Sequence, residues 1–195
     1  MLTASHGNKD LTPNERAVKS FKTSSLEASS LALLGAFCLF LCAVEYMIPK
    51  PLPFMRIGLA NLPIILACCI FPLHSFLILV CIKVIGQALI TGTLFSYIFL
   101  FSITGTFLSA LLMYFLCNAL GRKYISFIGV GAAGAVVSNF SQLVLAYFFI
   151  FRENTIYIAP AFLLAGLITG IVLGIFCEVF AGKSKWFKGI KNEKA

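Results

Sequence analysis

The chain is poor in charged residues, and this scarcity limits the classes of protein to which it can belong. Only 11% of its 195 residues are charged, and 60% are hydrophobic. A soluble domain typically has about 25% charged and about 45–50% apolar residues. The composition therefore excludes an ordinary soluble domain and predicts an integral membrane protein, with lipid as most of its solvent.

Catalytic motifs are missing as well. Asp10 is the only aspartate, so the paired aspartates that hold magnesium against a diphosphate substrate cannot be built here. The sequence also has no P-loop, GxSxG or HExxH pattern. We therefore expect a chain that is not an enzyme, has no catalytic residues and carries no cofactor.

The cysteines are scattered through apolar segments, with no CxxC pair and no cluster of cysteine with histidine. Free cysteine is readily buried as a small apolar side chain. We therefore expect packing roles, no disulfide and no metal site for Cys38, Cys42, Cys68, Cys69, Cys81, Cys117 and Cys177.

Long apolar runs predict the fold. A membrane helix needs about 20 mostly apolar residues, and we identify six runs, of which the second is short: Ser29–Ile48, Ile57–Phe71, Leu73–Thr91, Ser96–Cys117, Ile125–Phe151 and Tyr157–Ala181. The predicted fold is an all-α integral membrane protein with six transmembrane helices over residues 29–181. We expect residues 1–28 to be a disordered cytoplasmic arm and residues 182–195 a basic cytoplasmic tail.

The net charge of +8 is explained by the membrane topology and does not indicate binding to nucleic acid. With both termini in the cytoplasm, the inner side holds most of the basic residues, as the positive-inside rule requires. These residues are Lys9, Arg16, Lys19, Lys22, Arg122, Lys123, Lys183, Lys185, Lys188, Lys191 and Lys194. We expect no nucleic-acid partner.

Strongly polar residues within the predicted helices fall in one half of the membrane under this topology. Polar groups cost free energy in hydrocarbon, so they are functional candidates. The candidate substrate-binding residues are Glu45, Arg56, Asn61, Lys83, Gln87, Asn139 and Gln142. Helix 4 adds Ser102 and Thr104.

Helical spacing brings some of these candidates together. Lys83 and Gln87 are four residues apart, and Asn139 and Gln142 are three apart, so each pair shares a helix face. The cluster predicts a pocket that opens outward and takes a small anionic or zwitterionic molecule, with Glu45 as the natural partner of Lys83. The alternative is that these groups bond to one another and hold the helices together.

Small residues recur at four-residue spacing in two helices. Ala32 and Ala36 share a face of helix 1, and helix 6 carries Gly166, Gly170 and Gly174. Such stripes allow close helix contact, either within the bundle or with another membrane subunit. Helix 1 is the better candidate for docking, because its stripe lies away from the polar cluster.

Four segments resemble a bacterial family named heptaprenyl diphosphate synthase component I, also called the Gx transporter family: EYMIPKPLPFMRIGLAN, GQALITGTLFSYIFLFSITGTFLSALLM, SFIGVGAAGAVVSNFSQLVLA and LLAGLITGIVLG. The resemblance covers about Leu34–Phe180. Its more specific parts are Glu45, Pro49, Gly58–Asn61, Gly92–Thr93 and the segment from Asn139 to Gln142. This chain has Ser138 where that family commonly has a histidine.

That family is in turn similar to the substrate-binding S-components of energy-coupling-factor (ECF) transporters. The resemblance implies a six-helix bundle with both termini inside and an outward pocket. It also implies that Ala32 and Ala36 match the AxxxA face that docks a transmembrane coupling subunit, which works with ATPases.

Three functions remain open from the sequence. The favoured one is a substrate-binding transport subunit in the bacterial cytoplasmic membrane, with a small-molecule substrate, surrounding lipid and an energising module as partners. The alternative is a non-catalytic subunit of a heptaprenyl or polyprenyl diphosphate synthase, which predicts grooves for lipid tails. The third is a structural or redox-complex subunit.

Overall fold

The computed structural model describes residues 13–48, 58–119, 125–151 and 155–184, and within these ranges all regular structure is helical. The helices are α1 (Pro13–Met47), α2 (Leu62–Ala67), α3 (Leu73–Thr91), α4 (Tyr97–Ala119), α5 (Phe127–Ala146) and α6 (Thr155–Lys183). A 3-10 turn, Leu59–Asn61, precedes α2, and a π-helical segment, Tyr147–Phe151, follows α5. The predicted all-α fold is confirmed.

Five of the described helices are long and apolar enough to cross a membrane, and they make this a multi-pass membrane protein. The candidate spans are Ser25–Met47, Leu73–Thr91, Tyr97–Ala119, Phe127–Phe149 and Tyr157–Lys183. Large apolar side chains such as those of Phe115, Ile168 and Phe176 are exposed on these helices. In a bilayer, lipid would cover them.

The second predicted helix is much shorter than its apolar run suggested. The sequence predicted Ile57–Phe71, but α2 has only six residues, which span roughly 9 Å at 1.5 Å per residue. The hydrocarbon core is about 30 Å thick. The turn after Ala67 leads directly to Pro72, and a residue before proline disfavours the helical conformation. The count of six crossings therefore stays a prediction.

The first helix begins earlier than predicted. α1 starts at Pro13, so residues 13–28 are helical where the sequence predicted a disordered arm. Proline is favoured in the first turn of a helix, where its missing N–H would be unpaired anyway. The helix formers Glu15, Arg16 and Ala17 follow it. Residues 1–12 of the predicted arm and the tail beyond Ser184 lie outside the described residues.

The described residues divide into two compact units, the first ending at Leu33 and the second beginning at Leu34. Within the second unit, the backbones of α5 and α6 lie very close together. A Cβ atom built on Gly170 would lie 2.7 Å from the Gly131 carbonyl oxygen, and one on Gly174 would lie 2.5 Å from Ile128 Cα. The glycine stripe of α6 therefore serves packing within the bundle.

The start of α5 is capped by groups from two places. Ser126 accepts a hydrogen bond from the Gly129 N–H through its own hydroxyl. Glu178, on α6, accepts one from the Phe127 N–H at 2.9 Å. An acidic group at a helix N-terminus is favoured by the free N–H groups and the helix dipole. Although Glu178 is exposed, its carboxylate therefore also caps the start of α5.

Candidate functional site

The second unit contains a polar cavity. Its lining residues come from α1, α3, α4, α5 and α6 and from the turn that precedes α2. Its volume is about 20 Å³, which is room for roughly one water molecule. Five of the predicted binding residues line it: Glu45, Asn61, Lys83, Gln87 and Asn139. Residues from four separate segments of the sequence therefore converge on this cavity, whereas Gln142, predicted beside Asn139, is not among its lining residues.

Lys83 is the basic residue among the described residues that line the cavity. It lies midway along α3 with a relative exposure of only 4%. Its Nζ donates a hydrogen bond to Asn61 Oδ1 at 2.6 Å and another to Thr106 Oγ1 at 3.4 Å. A buried ammonium group needs such partners because burial removes its water shell. The amide and the hydroxyl thus join α3 to the turn before α2 and to α4.

Glu45 is the acidic group among the described lining residues. It lies near the end of α1, with a relative exposure of 1%, and borders the same cavity as Lys83. The cavity therefore presents a carboxylate and an ammonium group to anything inside it.

The turn before α2 is shaped by a glycine. Gly58 has φ of +87°, in the left-handed region, and its carbonyl accepts the Asn61 N–H at 2.8 Å. A Cβ atom on Gly58 would lie 3.2 Å from Asn61 Nδ2. Glycine adopts this conformation at little cost. The turn therefore holds the Asn61 amide in position to meet Lys83.

Two buried glutamines have oxygen atoms without hydrogen-bond partners. Gln87 Oε1 and Gln142 Oε1 are both buried and unpaired. Gln87 lines the cavity, whereas Gln142 donates through Nε2 to Ser138 Oγ at 3.3 Å, and Ser138 lines it. A buried unpaired carbonyl oxygen costs about 1–3 kcal/mol. Gln87 Oε1 therefore marks a place where a donor from a ligand would be favourable.

Asn139 supports the alternative that polar groups hold helices together. Its Nδ2 donates to the Phe162 carbonyl oxygen on α6 at 3.0 Å. Gly166 provides the space, since a Cβ atom there would overlap Asn139 Nδ2. The same residue also borders the cavity. Asn139 thus joins α5 to α6 as well as facing the candidate site.

Sequence reasoning missed two hydroxyl groups that line the cavity, those of Thr106 and Thr169, and named Ser138 only as standing in place of the family's histidine. Thr104, which it named instead, donates to the Leu100 carbonyl of its own helix. Thr106 lies four residues after the predicted Ser102, so helical spacing offered a signal for it. Thr169 lies three residues after Gly166 in an apolar run and gave no comparable signal.

The sequence also predicted functional roles for three further residues. Arg56 lies outside the described residues. Ala32 and Ala36 are both exposed on α1. Their docking role stays a prediction.

Three cysteines are brought together by the fold, which the sequence did not predict. Cys117 Sγ lies 2.9 Å from Cys68 Sγ and 2.9 Å from Cys69 Sγ. Cys117 is far from the other two along the chain, so no local motif could reveal the group. The expectation of packing roles, no disulfide and no metal site for these three stays a prediction.

The fold and the cavity together define a multi-pass helical membrane protein with a buried polar site. The family model of heptaprenyl diphosphate synthase component I matches residues 34–180. The chain belongs to that family. No curated protein and no solved structure matches it.

Proposed function

We propose that this protein is the substrate-binding subunit of a membrane transporter, similar to an ECF S-component. It would capture a small organic molecule from outside the cell for uptake with an energising partner module. The observation that carries the proposal is the convergence of charged, amide and hydroxyl groups on one cavity inside an apolar bundle. Buried polar groups in a membrane protein usually mark a substrate path.

The lining groups favour a zwitterionic substrate. Lys83 would attract a carboxylate or phosphate group, and Glu45 would attract an amine. Gln87 Oε1 would accept a hydrogen bond from the substrate, because it has no protein donor. Arg56, predicted for the same pocket, would add a second positive charge at the outer end.

An organic substrate requires the cavity to enlarge. Pockets for small organic ligands typically have volumes of roughly 300 Å³ or more, far above the 20 Å³ described here. We infer that opening moves the turn at Gly58–Asn61 away from α3 and separates Asn61 from Lys83. This turn is short and lacks regular α-helical bonding, so its displacement disrupts little of the bundle.

The proposal includes a membrane topology and a set of partners. The chain would lie in the bacterial cytoplasmic membrane with six crossings and both termini inside. The segment that contains α2 would make the second crossing together with its flanking residues. Ala32 and Ala36, both exposed, would dock the transmembrane coupling subunit, and ATPases bound to that subunit would supply the energy.

Native mass spectrometry of the gently solubilised protein tests the proposal, with extraction and identification of whatever co-purifies. Thr106→Val and Thr104→Val form a matched pair, because the first hydroxyl lines the cavity and the second bonds to its own helix. We expect a stoichiometric polar metabolite that is lost in Thr106→Val and kept in Thr104→Val. A metabolite retained equally by both variants would contradict the cavity as the binding site.

A second candidate function is favoured by an apolar groove. The family name describes one component of a heptaprenyl diphosphate synthase, which implies association with a synthase partner. Between α1 and α3 lies a groove of about 530 Å³ lined mainly by leucine and isoleucine, with His74 among its lining residues. Such a groove suits an isoprenoid tail.

The same mass spectrometry separates the two candidates. Bound isoprenoid that is indifferent to Thr106→Val but displaced by the groove-filling change Ile82→Trp would favour the synthase subunit. The control is Ile175→Trp on the exposed face of α6. A polar metabolite with no isoprenoid would favour transport.

A further inference from the structure

The three clustered cysteines lie where α2 ends and α4 ends. Cys68 and Cys69 directly follow α2, and Cys117 is in the last turn of α4. The thiol sulfurs of Cys68 and Cys69 are 3.7 Å apart, and each is 2.9 Å from that of Cys117. All three sulfur atoms thus lie within 4.8 Å of one another. We refer to this group as the thiol cluster.

The three cysteines of the thiol cluster differ in their exposure to the surroundings. Cys68 and Cys117 are buried, and Cys69 is half-buried. An ion could therefore reach the cluster past Cys69 and be held in the interior by the other two sulfurs. The thiol cluster shares no residue with the polar cavity, so it is a separate site.

The donor set selects the kind of ion. Thiolate is a soft ligand, suited to Cu(I), zinc and iron–sulfur groups. Structural zinc is almost always bound by four ligands, and among the described residues the group of mutually close ligand atoms has three members. Monovalent copper, with a filled d shell, is satisfied by two or three thiolates. We propose that the thiol cluster binds one Cu(I) ion.

Binding would proceed without any change of oxidation state. Each cysteine that ligates the ion loses its thiol proton to solvent, and a sulfur–copper bond takes its place. Because protons compete with the ion for sulfur, the affinity should fall as the pH falls. The bound ion would tie the end of α2 to the end of α4 and so should raise the thermal stability of the protein.

The test uses the full-length reduced protein in lipid nanodiscs, under anaerobic conditions. The protein is titrated with Cu(I) against a chromophoric copper chelator, and with Ag(I), a monovalent analogue that is not readily oxidised. We expect one ion per chain, three sulfur neighbours by X-ray absorption and a higher unfolding temperature. Cys117→Ser should lose all three effects.

Two cysteine variants serve as matched controls. Cys81→Ser removes an exposed thiol on α3, and Cys38→Ser removes a buried thiol that bonds to the Ala60 carbonyl. Both should retain the ion. Retention of Cu(I) by Cys117→Ser, or failure of the reduced wild-type protein to bind it, would overturn the proposal.

Thiol protection gives a measurement that does not depend on any variant folding. In the wild-type protein in lipid nanodiscs, Cu(I) should slow the alkylation of Cys68, Cys69 and Cys117, as counted by peptide mass spectrometry of samples labelled with and without the ion. Cys81 should react with or without the ion. Equal protection of all seven cysteines, or a disulfide from Cys117 to Cys68 or Cys69 in protein alkylated directly in cells, would contradict the site.

Discussion

The helices α2 and α3 are neighbours in the chain, and both arise from apolar runs, yet they meet different surroundings. All six residues of α2 are buried by protein. In α3, the buried residues form one face (Phe76, Leu79, Val80, Lys83, Val84, Gln87 and Ala88) of a 19-residue helix. Hydropathy is similar for a side chain that faces lipid and one that faces protein. The two helices are instead distinguished in the sequence by Gly58 and Pro63, which lie just before α2 and in its first turn.

The largest expected effect compares isoleucines in the two helices. Ile65→Ala, in α2, removes a side chain that is 1% exposed and should cost about 2–5 kcal/mol in the free energy of unfolding. Ile85→Ala, in α3, removes one that is 52% exposed and should cost less than about 0.5 kcal/mol. Unfolding in mixed detergent micelles measures both. Equal losses would show that α2 also faces lipid.

Lys83 links α3 to the turn that precedes α2, and its removal should have the next largest effect. Lys83→Met keeps the length of the side chain but leaves Asn61 Oδ1 without its ammonium donor, at a cost of about 1–3 kcal/mol. Binding of the co-purified polar ligand should also be lost in native mass spectrometry. The control is Lys183→Met at the exposed end of α6. A variant of Lys83 that binds ligand normally would remove this residue from the site.

Two glycines allow a finer comparison. Gly58 precedes α2 with φ of +87°, and Gly92 ends α3 with φ of +67°. Alanine in the left-handed conformation costs about 1–2 kcal/mol, so both substitutions should lower stability similarly. Only Gly58→Ala should weaken ligand binding, because its Cβ contacts Asn61 whereas nothing lies near that of Gly92. Equal effects on binding, measured by native mass spectrometry, would contradict the role of the turn.

A modest effect is expected at Pro63, in the first turn of α2. Pro63→Ala should change the free energy of unfolding by less than about 1 kcal/mol, since proline there replaces an N–H that is unpaired anyway. Pro63→Gly should cost more, because glycine adds freedom to the unfolded chain. Denaturant titration in micelles measures both. A large loss in Pro63→Ala would show that the ring itself is needed for packing.

Much of the fold was predictable, since long apolar runs are strong signals. The bounds of α3 agree with the prediction, and those of α4 and α6 differ by two residues or fewer at each end. The start of α1 was not predictable from hydropathy, because the added residues are polar. The end of α2 was missed because the apolar run continues through Phe71 while the helix stops at Ala67.

The candidate site was predictable where strongly polar residues stood out from lipid-like sequence. Glu45, Asn61, Lys83 and Gln87 were recognised in this way and border one cavity. Hydroxyl residues were harder to assign, because threonine and serine can satisfy themselves on their own helix, as Thr104 does. The thiol cluster depends on contact between residues distant in sequence, which periodicity cannot show.

The π-helical segment after α5 sets a length scale for the depth of the cavity. Tyr147, Phe148 and Phe149 are all exposed, although successive residues of a helix point in directions about 100° apart. These three side chains therefore lie away from the packed bundle at the end of the candidate span Phe127–Phe149, and tyrosine favours the headgroup region. Asn139 lies eight residues earlier, roughly 12 Å along the axis. A molecule entering from that side would travel about this distance, nearly half the hydrocarbon thickness of roughly 30 Å, before it reached the cavity.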